Sequence, residues 1–397
     1  MISVDEALER ILAATTPLGG EMVPLEVAAG RTLAAPLTAG HSQPPFDASS
    51  MDGYAVRAAD LDTLETLRLV GTAQAGHRFS GLVGPGQCVR IFTGAPLPIG
   101  ADAVVMQEEV SANGNEISFS RAVRPGQLVR RRGSVYLEGK TLLPAGSVLT
   151  PARMSLAASA NRAVVPATRR PRIALLATGD ELVEPGDALG LDQVVSANSF
   201  GLAALFGGLA EILDLGIVRD DPEALEAALA DAFAAGIDML VTSGGASVGD
   251  RDYVQQALGA LGVEMDFWLI AMQPGKPLMF GRRGATLVFG LPGNPVSALA
   301  TGTVVVLPAI RRLCGQSDPL GLRLRLPLAA PLPPNGGRRH FRRARIEPAP
   351  GGSQIMPIAE TDSGHILSFA GADALIVQPE NDPGMPAGAI IEVIPLG

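Results

Sequence analysis

Apolar positions recur along this chain with two different periods, and the switches between them divide it into regions. Residues 2–14 set Ile2, Leu8, Ile11 and Leu12 among acidic and polar positions, the spacing of one buried helix face. From about residue 44 to 135 that period disappears. Short runs such as LRLVGTA, QCVRIFTGA and ADAVVMQEEV, separated by Gly and Pro, predict the strands of a small β domain. Helical spacing returns in ARMSLAASA, residues 152–160. A helix there is expected to pack back against the first one, giving a discontinuous domain into which the β domain is inserted.

The two periods then alternate. RIALLAT (172–178) reads as a strand, ANSFGLAALFGGL as a helix and AEILDLGIV as a strand. DDPEALEAALADAFAA reads as a helix with Asp221 at the N-cap and Pro222 in the first turn. IDMLVTS is a strand entering GGASVGD, DYVQQAL a helix, VEMDFWLIAM a strand, QPGKP a turn, and ATLVFG a strand entering LPGNPVSALA. Such alternation with short connections predicts a doubly wound α/β domain: a parallel sheet with helices on both faces. The Pro- and Gly-rich residues 317–337 read as a linker into a last β domain, whose final strand is IIEVIP.

Composition narrows the function classes. The 397 residues imply two to four domains and are 47% hydrophobic and 18% charged, as in a globular protein. No uninterrupted apolar run reaches the ~20 residues of a membrane span, and residues 296–310 read as a buried helix. Asp5, Glu6 and Glu9 rule out a secretory signal at the start. Cys88 and Cys314 have neither disulfide nor zinc spacing, which fits a reducing, cytoplasmic compartment. The net charge of −9 argues against nonspecific nucleic-acid binding, which needs a clustered positive surface. A small anion in a cleft is not excluded, because a local cation outweighs the global field there.

Ligands of such sheets bind at the carboxyl ends of the strands, where four loops fall: TGDE (178–181), SGGASVGD (243–250), QPGKP (273–277) and GLPGNP (290–295). The glycines of the second loop let backbone N–H groups approach an anion at a helix start, although its spacing is neither a dinucleotide nor a P-loop fingerprint. In the first, Glu181 is a candidate ligand for a hard cation such as Mg²⁺, while Asp180 equally suits capping of the turn. Asp250 and Asp252 add carboxylates, one of which serves equally as a helix cap. Lys276, the only lysine after Lys140, is a point charge suited to an oxyanion. Asn294 falls at an N-cap, with Ser297 in the first turn after it.

Together, PPFDASSMDGYAVR, TGAPLPIGADAVVMQEE, ATGDEL, SGGASVGDRDY, PGKP and GLPGNPVSA resemble the molybdopterin molybdenumtransferase (MoeA) family, to which the gephyrin E domain is similar. The match runs over nearly the whole chain in order. The resemblance implies an elongated discontinuous domain (1–45 and 137–170), an inserted β domain (46–136), a molybdopterin-binding α/β domain (171–317) and a C-terminal β barrel (318–397). It implies a homodimer, with a cleft between the α/β domain of one subunit and the inserted domain of the other. The implied reaction is Mg²⁺-assisted insertion of molybdate into adenylylated molybdopterin with release of AMP. A molybdopterin adenylyltransferase and molybdoenzyme clients are the implied partners.

Carried over by motif, Asp52, Glu181, Asp220, Asp252 and Lys276 resemble the catalytic residues, with Glu181 and Asp252 at the metal. Thr93, Gly94, Ser243, Gly244, Gly245, Ser247, Gly249, Gly275, Pro292, Gly293 and Asn294 resemble substrate-binding positions, and Ser297, Arg338 and Ser368 molybdate-contacting ones. Four motifs depart from the family pattern. Ser134 and Val135 replace a Glu-Asp pair, Gln273 the first lysine of K-P-G-K, Ser196 the acid of D-x-N, and His340 the acid of GR-x-(E/D)-F. These departures imply an alternative to turnover: a weakened paralogue that binds the pterin or finished cofactor and delivers it.

Overall fold

The computed structural model describes residues 1–245, 253–360 and 362–396. Its central six-stranded sheet runs Glu211–Val218, Arg172–Thr178, Met239–Ser243, Thr286–Leu291, Pro277–Arg283, Glu264–Leu269. Side chains on successive positions of Arg172–Thr178 enter different cores. Ile173 and Leu175 share one with Leu202, Phe206 and Val304, whereas Ala174 and Leu176 share another with Leu225, Leu229 and Leu258. A strand whose side chains alternate between two covered faces makes the doubly wound layer.

Alternation predicts a parallel sheet; the structure has one strand inverted. Pro277–Arg283 pairs antiparallel with both of its neighbours, Thr286–Leu291 and Glu264–Leu269. The sequence pattern hides it, because Pro277, Gly281, Arg282 and Arg283 interrupt its apolar run. Gly284, at φ +59°, then turns the chain back within two residues, a connection only antiparallel neighbours can use. The inversion leaves residues 270–276 at the carboxyl edge of the sheet.

The first helix, Val4–Ala14, starts where the Ser3 hydroxyl accepts from the Glu6 N–H at 3.1 Å. Its buried Val4, Ala7, Leu8 and Ile11 join the core of the central layer. The Pro151–Ser159 helix does not pack against it, as the sequence pattern suggests. Only its Ala157 is buried, and that residue belongs to a separate core with Val23, Leu33, Leu149 and Val165. Strands make the discontinuity instead: Gly20–Pro24 pairs with Val164–Thr168, and Leu37–Thr38 with Thr141–Leu143. Between these halves lies a six-stranded sheet that includes Gly53–Val56, Thr66–Ala73, Gln87–Ile91 and Ala103–Met106.

Pro295–Leu313 is apolar and long enough to cross a membrane, yet 83% of its most apolar window is buried in the protein. The helix passes through a π-helical turn at Gly302–Val306 just before Pro308, which has no N–H for the regular ladder. The segment after residue 317 is more than a linker, since Leu324–Pro327 pairs with Ile390–Pro395. The Leu328–Ile355 bridge joins that strand to Gly352–Pro357, closing the C-terminal strands around Leu332, Ala344, Ile376 and Val393.

Candidate functional site

A cavity of about 620 Å³ opens at the carboxyl edge of the central sheet. Glu181, Asp220, Ser243, Gly244, Gly245, Pro292, Gly293 and Asn294 line it, together with Thr178 and Asn198. The strand ends fix these groups. Thr178 Oγ1 donates to Asp220 Oδ1 at 2.7 Å, and the Asp220 N–H donates to Asp180 Oδ1 at 3.3 Å. Asp180 thus caps a neighbouring strand end, not its own turn. Glu181 folds back over Gly179, where an added Cβ would stand 2.6 Å from Glu181 Oε2.

Gly244 has φ +95°, and a Cβ there would lie 2.3 Å from the Thr178 carbonyl oxygen. Positive φ and close backbone approach both require glycine here. Its N–H donates to Leu291 O at 3.2 Å and is therefore committed to the sheet rather than to an anion. Asn198 Nδ2 donates to Ser243 Oγ at 2.7 Å and to Gly293 O at 2.8 Å, tying together two of the Gly-rich loops. Ser247, Gly249, Asp250 and Asp252 lie outside the described residues.

A second group of predicted residues lies where the central and C-terminal layers meet. Met272–Gln273 leaves the central sheet and pairs in parallel with Arg339–His340 of the C-terminal sheet. Gly275 (φ +104°) turns the chain so tightly against the 295–301 helix that a Cβ would come within 2.4 Å of Thr301 Cγ2. Lys276 follows, exposed. Among the described residues neither the Lys276 ammonium nor the Arg338 guanidinium has a hydrogen-bond or ion-pair partner.

Gln273 stands directly opposite His340, and both line a small crevice with Arg342, Arg343 and Glu360. Burial, reinforced by Arg342 and Arg338, pushes the His340 imidazole down to about 4, so it is neutral at pH 7. The cross-strand pair at this position is therefore uncharged at pH 7.

Other expected contacts are rearranged. Asn294 occupies the N-cap without capping; its Nδ2 donates to Ser363 Oγ at 2.9 Å. Ser297 is 5% exposed and is not among the residues lining the cavity. Ser368 is buried and its Oγ donates to His365 O at 2.6 Å. Asp52, Thr93 and Gly94 form a separate cluster on the inserted sheet. Asp52 Oδ1 accepts from the Thr93 N–H and Oγ1, each at 2.8 Å, and these bonds hold its carboxyl below the usual carboxylate range. Within one chain no hydrogen bond or ion pair joins this cluster to the residues lining the cavity, among the described residues.

The sequence places Thr178 in the TGDE loop at the ligand edge without distinguishing it as a cavity wall, and gives no such role to Asn198. The available signal was position: Thr178 ends its strand and Asn198 begins its helix. Arg339 was passed over for Arg338. Nothing in GGRRHF distinguishes the two arginines until the strand's alternation is known.

Sequence comparison divides the chain into three matched regions. Residues 2–161 match the profile described as the MoeA N-terminal region (domain I and II), 174–312 a probable molybdopterin binding domain, and 325–396 the MoeA C-terminal region (domain IV). A protein of Haemophilus influenzae named molybdopterin molybdenumtransferase is 40% identical over 321 residues, covering 80% of this chain and 79% of its own. One of the same name from Nostoc sp. is 36% identical over 390 residues, covering 95% and 88%. The crystal structure of a molybdopterin biosynthesis moeA protein from Pyrococcus horikoshii superposes with a TM-score of 0.85 at 31% identity, over 100% of this chain and 99% of that one.

Proposed function

Because this chain belongs to the molybdopterin molybdenumtransferase family, we propose that it inserts molybdate into adenylylated molybdopterin, releasing AMP. One observation carries the proposal: the cavity on the sheet's carboxyl edge is lined by Glu181, Asp220 and Pro277, the residue that follows Lys276, and both Lys276 and Arg338 are cations without partners among the described residues, in a chain of net charge −9. Lys276 and Arg338 attract and orient the oxyanion. The Ser243–Gly245 turn and the Pro292–Asn294 turn seat the pterin and its phosphate groups between them. Thr178 holds Asp220 in one rotamer, so that its carboxylate meets the substrate already oriented.

The residues fit Mg²⁺. Among the described residues no cluster of three or more His, Cys, Asp or Glu could hold a metal by itself. Mg²⁺, however, commonly binds through one or two carboxylates, its waters and substrate phosphate, and Glu181 and Asp220 line one cavity. Bound there, it would neutralise charge on the phosphate leaving as AMP.

Asp52 and Thr93 complete the site from a second subunit in this proposal, which accounts for their separation from the cavity within one chain. The same family membership supports division near residues 45, 137, 170 and 317. The test is release of AMP from adenylylated molybdopterin with molybdate and Mg²⁺. Tight pterin binding without AMP release would instead support the delivery reading, which Val135 favours as a 65% exposed apolar residue where the family carries an acid.

A further inference from the structure

The N-terminal segment and the C-terminal sheet close on the Lys276 loop from opposite sides. The Ile2 N–H donates to Leu269 O at 3.2 Å, and the Ala271 N–H donates to Ile2 O at 2.8 Å. On the other side, the Arg339 N–H donates to Ala271 O at 2.8 Å and Met272–Gln273 pairs with Arg339–His340. The Arg339 side chain then reaches back over this segment. Its Nη1 and Nη2 meet the two carboxylate oxygens of Asp5 at 2.6 and 2.8 Å, while Nη2 also meets Glu380 Oε2 at 3.2 Å. Arg10 adds a bond to Asp266, on the strand leading into the loop, at 2.9 Å. Ile270 and Met272 are fully buried beside Val4, Leu8 and Phe341.

We propose that the Asp5–Arg339 pair is a positioning device for Lys276, strapping the 270–276 segment between the first helix and the C-terminal sheet. A bidentate guanidinium–carboxylate pair fixes direction as well as distance, which a lysine in the same place would not. Neither residue touches substrate; they act by holding the turn that aims the ammonium. The inference rests on the proposed role of Lys276 at molybdate.

The experiment uses the full-length protein with Asp5→Asn, Asp5→Glu and Arg339→Lys. Hydrogen exchange is followed at residues 270–277, and molybdate dependence in the AMP-release assay. Asp5→Asn and Arg339→Lys are expected to speed exchange in that segment and raise KM for molybdate roughly fivefold, with kcat little changed, as loss of a weak partly exposed pair implies. Asp5→Glu should restore both. Faster exchange with an unchanged KM would reduce the pair to a structural strap and overturn the proposal, as would no change in either. If the wild-type chain releases no AMP, the transferase reading fails by itself. Molybdate affinity measured directly by calorimetry then decides the positioning role, with equal affinity in wild type and Asp5→Asn refuting it.

Discussion

In the proposed reaction, Lys276 is the residue on which most of the chemistry at molybdate depends. It has no carboxylate partner among the described residues, so replacing it removes a cation without leaving a buried charge behind. Lys276→Ala should leave folding intact and lower molybdate-dependent kcat/KM by roughly 100-fold, the effect of losing one preorganised charge of about 3 kcal/mol. Retained turnover would show that the oxyanion lies elsewhere. His340 supports a separate prediction about stability. Its folded pKa of about 4 lies below the ~6.5 of an unfolded histidine, so the unfolded chain takes up the proton first. Stability from this group is complete above pH 6.5 and is lost as pH falls towards 4. Asp5, Asp47 and Asp52, whose carboxyl pKa values are also lowered, begin to lose theirs only at lower pH. Thermal melts of His340→Gln should therefore fall less than those of the wild type between pH 7 and pH 5.

At the scale of elements, turns decide what the sheet edge presents. Gly244→Ala would force a methyl to within 2.3 Å of the Thr178 carbonyl, in a backbone conformation that disfavours any side chain. Separation of the Arg172–Thr178 and Met239–Ser243 strand ends should follow, with at least a tenfold loss in affinity for AMP by calorimetry, equivalent to about 1.4 kcal/mol. Helix caps are more forgiving. Asp221 accepts from the Ala224 N–H at 2.8 Å, and Asp221→Ala should cost about 1 kcal/mol of local protection in hydrogen exchange along Pro222–Ala234 without affecting AMP binding. That cap was legible because Asp followed by Pro is a local chemical signal. The Pro277–Arg283 strand was not, because pairing on both sides stabilises it despite a weak apolar pattern.

For the whole molecule, the separation of Asp52 from the cavity leads to a complementation test. Asp52→Asn and Lys276→Ala chains should each be strongly impaired alone, the latter by roughly 100-fold. Mixed as heterodimers, they should regain one intact site, because one subunit would supply Asp52 and the other Lys276. Absence of recovery in verified heterodimers would place both residues in a site made by a single chain. The first helix shows how distant sequence becomes one structure. Val4, Leu8 and Ile11 share a core with Phe289, Phe341 and Val377, so residues at both ends of the chain stabilise the layer that bears the cavity.

Local order was determined by the sequence. The switch from helical to alternating periods marks the layers, and the Gly-, Asp- and Pro-bearing turns mark the sheet edge where Glu181, Ser243 and Gly293 line one cavity. These features depend on neighbouring residues, whose chemistry acts over a turn or a strand pair. Tertiary structure alone decided that Pro277–Arg283 is inverted, that Gln273 faces His340, and that Arg339 rather than Arg338 is tied to Asp5. Each depends on which strand lies alongside, and pairing, whether between the two arms of a hairpin or between opposite ends of the chain, is set by shared burial and hydrogen bonding that the apolar pattern of one segment does not reveal.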